Sequence, residues 1–270
     1  MKTIAICNLK GGVGKSVTAV NLAGELGRHN KAVLVVDMDK QGNTSEFYGR
    51  HGYGAYSVAD VLMGRKSVVD AVVYIADNVS LLPANMNLIA AMKEIQFDSL
   101  HLQHDRLKKA LDKSANAFDV CLIDCPPDID IGVINALCAA DYLLLPADCG
   151  KWANDGIDEL LDQVDVIVDQ LNPGLEVMGI LPTKYRHTKA CDAALEDLAA
   201  CMETVIDVKI PLSTAVQDAT EQGLTVRAFV NKNCCARRSA MDAYAKLGDW
   251  ICMRLFEDEN ITEEKENGQV

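Results

Sequence analysis

The sequence predicts an α/β protein: a doubly wound, mostly parallel twisted sheet flanked by helices. Three observations predict it. Short apolar runs alternate with segments of helical spacing along the 270 residues, as in repeated strand–helix units. Several runs are apolar throughout rather than alternating, the pattern of strands buried on both faces. One run leads into a glycine-rich turn and two others end in aspartate, so polar residues collect at the C-terminal strand ends, where such sheets bind ligands.

In chain order, Thr3–Cys7 is the first buried strand. Asn8-Leu9-Lys10-Gly11-Gly12-Val13-Gly14-Lys15-Ser16 follows, and Val17–Leu26 has helical spacing. Strand, glycine-rich loop and helix together are the setting of a phosphate-binding loop, which makes the fold a P-loop NTPase. Gly11, Gly12 and Gly14 let backbone N–H groups, those of Val13 and Val17 among them, curl around an anion. The helix N-terminus adds the positive end of its dipole. Lys15 would reach the β- and γ-phosphates, and the Ser16 hydroxyl would hold Mg²⁺. The ordinary pattern has glycine at position 9; here it is Leu9, and an extra lysine, Lys10, opens the loop.

Ala32–Asp37 is a second buried strand, whose terminal acid enters the same site. Met38–Asn43 is a loop carrying Asp39. Ser57-Val58-Ala59-Asp60 has capping-box spacing and starts a short helix ending near Gly64. Val79–Pro83 is a strand, and 86–114 is helical material. Phe118–Asp124 is a strand broken by Pro126-Pro127. The Asp124 carboxylate suits a water ligand of the magnesium ion. Ile129–Ala140 is a helix, Tyr142–Pro146 a strand, Asp155–Leu171 an amphipathic helix and Glu176–Pro182 a strand. Residues 190–204 are a helix, Val208–Pro211 a short strand and turn, 213–222 a helix, and Ala236–Leu255 the last helix.

Composition narrows the function. No apolar run approaches the roughly 18 residues that cross a bilayer. The chain enters its first strand directly, so no leader is expected. Ten cysteines sit mostly in apolar segments, such as Cys7, Cys121, Cys138 and Cys252, and no Cys-x-x-Cys pair occurs. Buried reduced thiols in a cytoplasmic protein are the expectation, not a zinc or redox site. The net charge is −13. Against that acidic background, 184–189 carries Lys184, Arg186 and Lys189 with no acid, and 227–238 carries Arg227, Lys232, Arg237 and Arg238 with none. These two basic islands are the candidate nucleic-acid surface. No Pro/Gly/Ser linker divides the chain, so 1–256 is expected to be one ATPase domain and 257–270 an acidic disordered tail.

The Lys10–Ser16 run resembles the deviant Walker A box of the ParA/MinD class of ATPases. Asp37–Asn43 is similar to the Asp-x-Asp-Pro-Gln-Gly-Asn box of ParA proteins, with Lys40 where proline is usual, and the Asp124 strand resembles their Walker B. The resemblance covers nearly the whole chain. It implies a Soj-like partition ATPase that binds ATP and Mg²⁺, forms a homodimer around two ATP molecules, and binds DNA without sequence preference. Hydrolysis is slow, and a ParB-like partner stimulates it. By position it implies that Lys10 crosses to the partner's phosphates, Asp39 orients the attacking water, and Asp37 supports the metal shell. It also implies that Thr183 and Pro211 lie by the adenine. A nucleoid-associated cytoplasmic location follows. The family often has a basic residue where Leu212 stands. MinD-like positioning ATPases, the first alternative, end in a basic amphipathic helix, whereas this chain ends Glu257–Glu266 with an acidic stretch that anionic lipid repels. A nucleotide-gated regulatory protein is the second alternative. A nitrogenase-reductase-like carrier is disfavoured, because no cluster-binding cysteine pattern occurs.

Overall fold

The computed structural model describes residues 1–52, 54–149, 153–201, 204–233 and 237–267. Its elements in order are β1 (Lys2–Ile6), α1 (Lys15–Arg28), β2 (Val33–Asp37), α2 (Asn43–Phe47), α3 (Val58–Leu62), α4 (Val68–Ala71), β3 (Val73–Ala76), β4 (Val79–Leu82), α5 (Asn87–Gln96), α6 (Arg106–Asp112), a 3₁₀ turn (Ala115–Ala117), β5 (Val120–Asp124), α7 (Ile131–Ala139), β6 (Tyr142–Asp148), α8 (Ala153–Gln170), β7 (Glu176–Thr183), α9 (Lys189–Cys201), α10 (Thr214–Glu221), α11 (Val226–Lys232) and α12 (Ser239–Asn267).

The sheet has seven strands in the order β3-β4-β2-β5-β1-β6-β7. All neighbours are parallel except the edge pair β3–β4. Successive residues of a strand face opposite sides, which splits the apolar core in two. Ala5, Cys7, Leu34, Val36, Cys121 and Ile123 pack under α3 and α5 to α8. Ile4, Ile6, Val33, Val35 and Leu122 pack under α1 and α10 to α12. Burial on both faces is why these strands read as unbroken apolar runs.

From the central strand β1 the chain winds one way to β2, and from its neighbour β6 it winds the other way to β7. That reversal opens a crevice at the C-terminal strand ends. Register sets what lines it: Ile6 pairs with Asp124, and Asp37 with Asp124. The two aspartates and the turn leaving β1 therefore share one edge of the sheet.

The structure differs from the sequence reading in several elements. Val208–Pro211 is not a strand; only Tyr185 and Pro211 form an isolated bridge, and proline has no N–H to extend a ladder. α2, α4, β3 and α11 were not expected. α11 falls in the second basic island: Thr225 caps it through Ala228 N, and Val226, Phe229 and Val230 bury one face. The last helix is described through Asn267, beyond the expected end at Leu255, because Glu and Lys sustain a helix. Residues 268–270 lie outside the described residues.

Candidate functional site

The turn after β1 is tied down on both sides. The Asn8 side-chain amide donates to Pro146 O at 2.8 Å, and Asn8 Oδ1 accepts from Lys10 N at 2.8 Å. The Thr183 hydroxyl donates to Val13 O at 2.8 Å. Between these ties, Gly12 and Gly14 take φ of 74° and 94°, the left-handed region that glycine enters freely. No atom lies within 4 Å of where a Cβ on Gly11, Gly12 or Gly14 would sit. The loop thus presents bare backbone to an open space. Lys15 opens α1, is 7% exposed, and donates from Nζ to Asn8 O at 2.9 Å and Lys10 O at 3.2 Å. Its ammonium is held under the loop.

Asp37 and Asp124 are both buried side by side. Burial pushes both carboxyls above the usual range. Mutual repulsion adds to the rise at Asp37, and the Ser16 and Thr44 hydroxyls oppose it at Asp124. Their surroundings differ. Asp37 Oδ1 accepts from Asp39 N at 3.0 Å, and its Oδ2 accepts from Ser45 N at 2.8 Å and Ser45 Oγ at 2.7 Å. Asp124 Oδ2 accepts from the Thr44 hydroxyl at 2.7 Å, but its Oδ1 is buried without a hydrogen-bond partner. Such an orphaned oxygen calls for a ligand. Asp37, expected to support the metal shell, also braces the following loop.

The loop, Ser16, Val17 and Asp39 line one cavity of about 980 Å³, together with Lys40, Gln41, Glu46 and Phe47 of the loop and helix after β2, Pro126–Asp128 after β5, Lys184 after β7, and Thr220, Glu221 and Gly223. The expected adenine contacts, Thr183 and Pro211, are not among the residues lining this cavity. Thr183 is buried with its hydroxyl committed to Val13, and Pro211 packs along Tyr185. Lys184, assigned from sequence to a basic island, does line the cavity, with φ of 50°, a conformation rare for a residue with a Cβ. Lys10 turns away from the cradle and pairs with Asp148 Oδ1 at 2.8 Å.

Residues 1–177 match the AAA domain family. The chain is 33% identical over 260 residues to the chromosome partitioning protein ParA of Caulobacter vibrioides, covering 94% of this chain and 95% of that protein. It belongs to the ParA-type partition ATPases. The sporulation initiation inhibitor protein Soj of Bacillus subtilis is 37% identical over 187 residues, 68% of this chain and 72% of Soj. Among solved structures, cobyrinic acid a,c-diamide synthase from Mycobacterium smegmatis, with bound ADP and magnesium, superposes with a TM-score of 0.81 at 28% identity, covering 93% of this chain and 94% of that one.

Within this ParA-type site, sequence reasoning placed the loop, Asp39 and Asp124 together, as the structure does. It missed Asn8, Thr44, Ser45 and Asp148. No described helix is long and apolar enough to cross a membrane.

The basic islands are less uniform than their sequence implied. Arg186 and Lys189 are exposed, and Lys209 joins them by stacking over the Tyr185 ring, 4.9 Å from its centroid. Lys232, Arg237 and Arg238 are also exposed. Arg227 departs from the expectation: it clamps Glu25 of α1 with Nε at 2.7 Å and Nη2 at 2.8 Å.

Proposed function

We propose that this partition-type ATPase, one domain over 1–256, binds ATP with Mg²⁺, closes into a homodimer on ATP, and in that form binds DNA without sequence preference. It hydrolyses ATP slowly until a ParB-like partner stimulates it. The observation that carries the reading is the loop of bare glycine backbone with Lys15 and Ser16 lining one cavity together with Asp39, and the buried Asp124 at the end of the adjoining strand with one oxygen unpartnered. Among the described residues no group of three or more His, Cys, Asp or Glu is placed to hold a metal. A magnesium ion would therefore take the Ser16 hydroxyl and reach Asp124 through water, with nucleotide oxygens completing its shell, as this ion prefers. Bound there, it would neutralise charge on the phosphates.

The chain's own residues supply the rest. Backbone N–H groups of 11–17 hold the phosphates, and Lys15 is already aimed along them. Asp39 lines the cavity at the strand end, where a carboxylate orients an attacking water. Lys10 is the outward charge of the loop; leaving Asp148, it would reach a second copy's phosphates. The first solved neighbour, crystallised with ADP and magnesium, supports the nucleotide assignment. Lys15→Ala should weaken ATP binding by about 1.5–3 kcal/mol, read by titration calorimetry. Wild type should change from monomer to dimer on adding ATP, read by size exclusion with light scattering. ATP affinity unaltered in the variant, or a wild type that stays monomeric with ATP, would count against the proposal.

A further inference from the structure

Lys40 occupies a place built for a turn. Gly42 N donates to Asp39 O at 2.8 Å, which closes a four-residue turn with Lys40 at its second position. Proline is favoured there. The turn survives without it because Asp39 Oδ1 also accepts Gln41 N at 2.8 Å and Asp37 grips Asp39 N. The lysine therefore adds a charge without dismantling the loop. Its side chain lines the nucleotide cavity and also an adjoining groove of about 520 Å³.

The partner of that charge is weakly held. Lys40 Nζ lies 3.6 Å from Asp128 Oδ2, beyond hydrogen-bond distance, with the two side chains 40% and 66% exposed. Such a pair contributes little. Asp128 follows the Asp124 strand, so the pair spans the two loops that leave β2 and β5 beside the phosphate cradle. Among the described residues, the cations lining the cavity are Lys15, Lys40 and Lys184. Lys15 is fixed on backbone carbonyls, and Lys184 follows β7, on a different loop from Asp39. Lys40 directly follows Asp39, the cavity-lining carboxylate that the reading above sets against the attacking water, so it is carried on the loop that meets the last phosphate.

We infer that Lys40 is a specificity-determining residue: its ammonium exchanges the Asp128 carboxylate for the terminal phosphate, so the site distinguishes a nucleoside triphosphate from a diphosphate. The inference rests on the ATP reading above. ADP is too short to draw Lys40 across, so in the ADP state it stays with Asp128. A charge-assisted contact to phosphate outweighs a loose, solvated carboxylate pair.

The test is calorimetric titration of ADP and of a non-hydrolysable ATP analogue, each with Mg²⁺, into wild type, Lys40→Met, Lys40→Pro, Lys40→Arg and Asp128→Asn. Lys40→Met should weaken the analogue by about ten- to a hundredfold and ADP by less than about twofold. Lys40→Pro should match Lys40→Met, since it stiffens the turn but removes the charge, and Lys40→Arg should keep most of the preference. Asp128→Asn should tighten the analogue, an effect that vanishes in the Lys40→Met background. An unchanged analogue-to-ADP ratio in Lys40→Met, an equal loss of both ligands, or a wild-type ratio in Lys40→Pro would each overturn the role of Lys40. A wild-type protein that binds neither nucleotide would instead overturn the ATP reading.

Discussion

Asp39 serves its own loop through its backbone and one carboxylate oxygen: its N–H bonds Asp37, its carbonyl accepts from Gly42, and Oδ1 accepts from Gln41 N. The Asp37–Ser45 brace does not pass through its side chain. Asp39→Ala should therefore leave ATP binding within about twofold yet cut phosphate release by at least about a hundredfold, the scale of a lost proton-accepting group. A variant that turns over at the wild-type rate would remove Asp39 from the mechanism. Residues of this kind were legible because each belongs to a local pattern: a strand end, a fixed spacing of glycines, an acid after an apolar run. Asn8, Thr44, Ser45 and Asp148 were not, because their partners lie on other elements. Asn8 and Asp148 act across the sheet on residues 138 positions away. Lys184, expected in a basic island, also lines the cavity. Its backbone is left-handed, and such an angle at a non-glycine residue has no sequence signal.

At the scale of elements, α11 is a clasp on the back of the phosphate-binding helix. Val226 N donates to Asn21 Oδ1 at 2.7 Å, and Arg227 holds Glu25, which is 3% exposed, in a two-pronged pair; Arg28 adds a contact at 2.9 Å. Arg227→Ala would leave a buried carboxylate with one partner, at a cost of about 1.5–3 kcal/mol. Urea unfolding should show that loss, while DNA affinity of the ATP-bound protein should change little. A variant with native stability and weakened DNA binding would return Arg227 to the DNA surface. The elements missed from sequence, α2, α4, β3 and α11, span 4 to 7 residues each. A period of 3.6 cannot be recognised over one turn, and β3 is an edge strand with Tyr74 exposed and an irregular register. The long buried strands and helices announced themselves because both core layers demand apolar side chains at every strand position.

Across the whole molecule, charge decides whether DNA is a plausible ligand. The chain carries −13 overall, so a single copy should bind duplex weakly at physiological salt. Within the two basic islands the exposed cations include Arg186 and Lys189, with Lys209 beside them, and Lys232 with Arg237 and Arg238. The first group is diluted by Asp192, which accepts from the Tyr185 hydroxyl at 2.6 Å. The second, relieved of Arg227, keeps three cations that make no ion pair among the described residues. Closing two copies on ATP would double these contacts on one rigid body. Affinity should then fall with salt at a log–log slope of about −0.9 per phosphate neutralised. Sequence preference should be slight, because phosphate contacts position a protein without reading bases. Fluorescence anisotropy on unrelated duplexes, with the Asp39→Ala protein and ATP, measures this directly. Arg237→Glu with Arg238→Glu should weaken all duplexes alike and leave ATP binding and dimerisation intact, and Arg186→Glu should do so less. A dimer indifferent to DNA at low salt would remove the partition reading's main support. A dimer that binds with both reversals in place would keep the function and move the surface elsewhere.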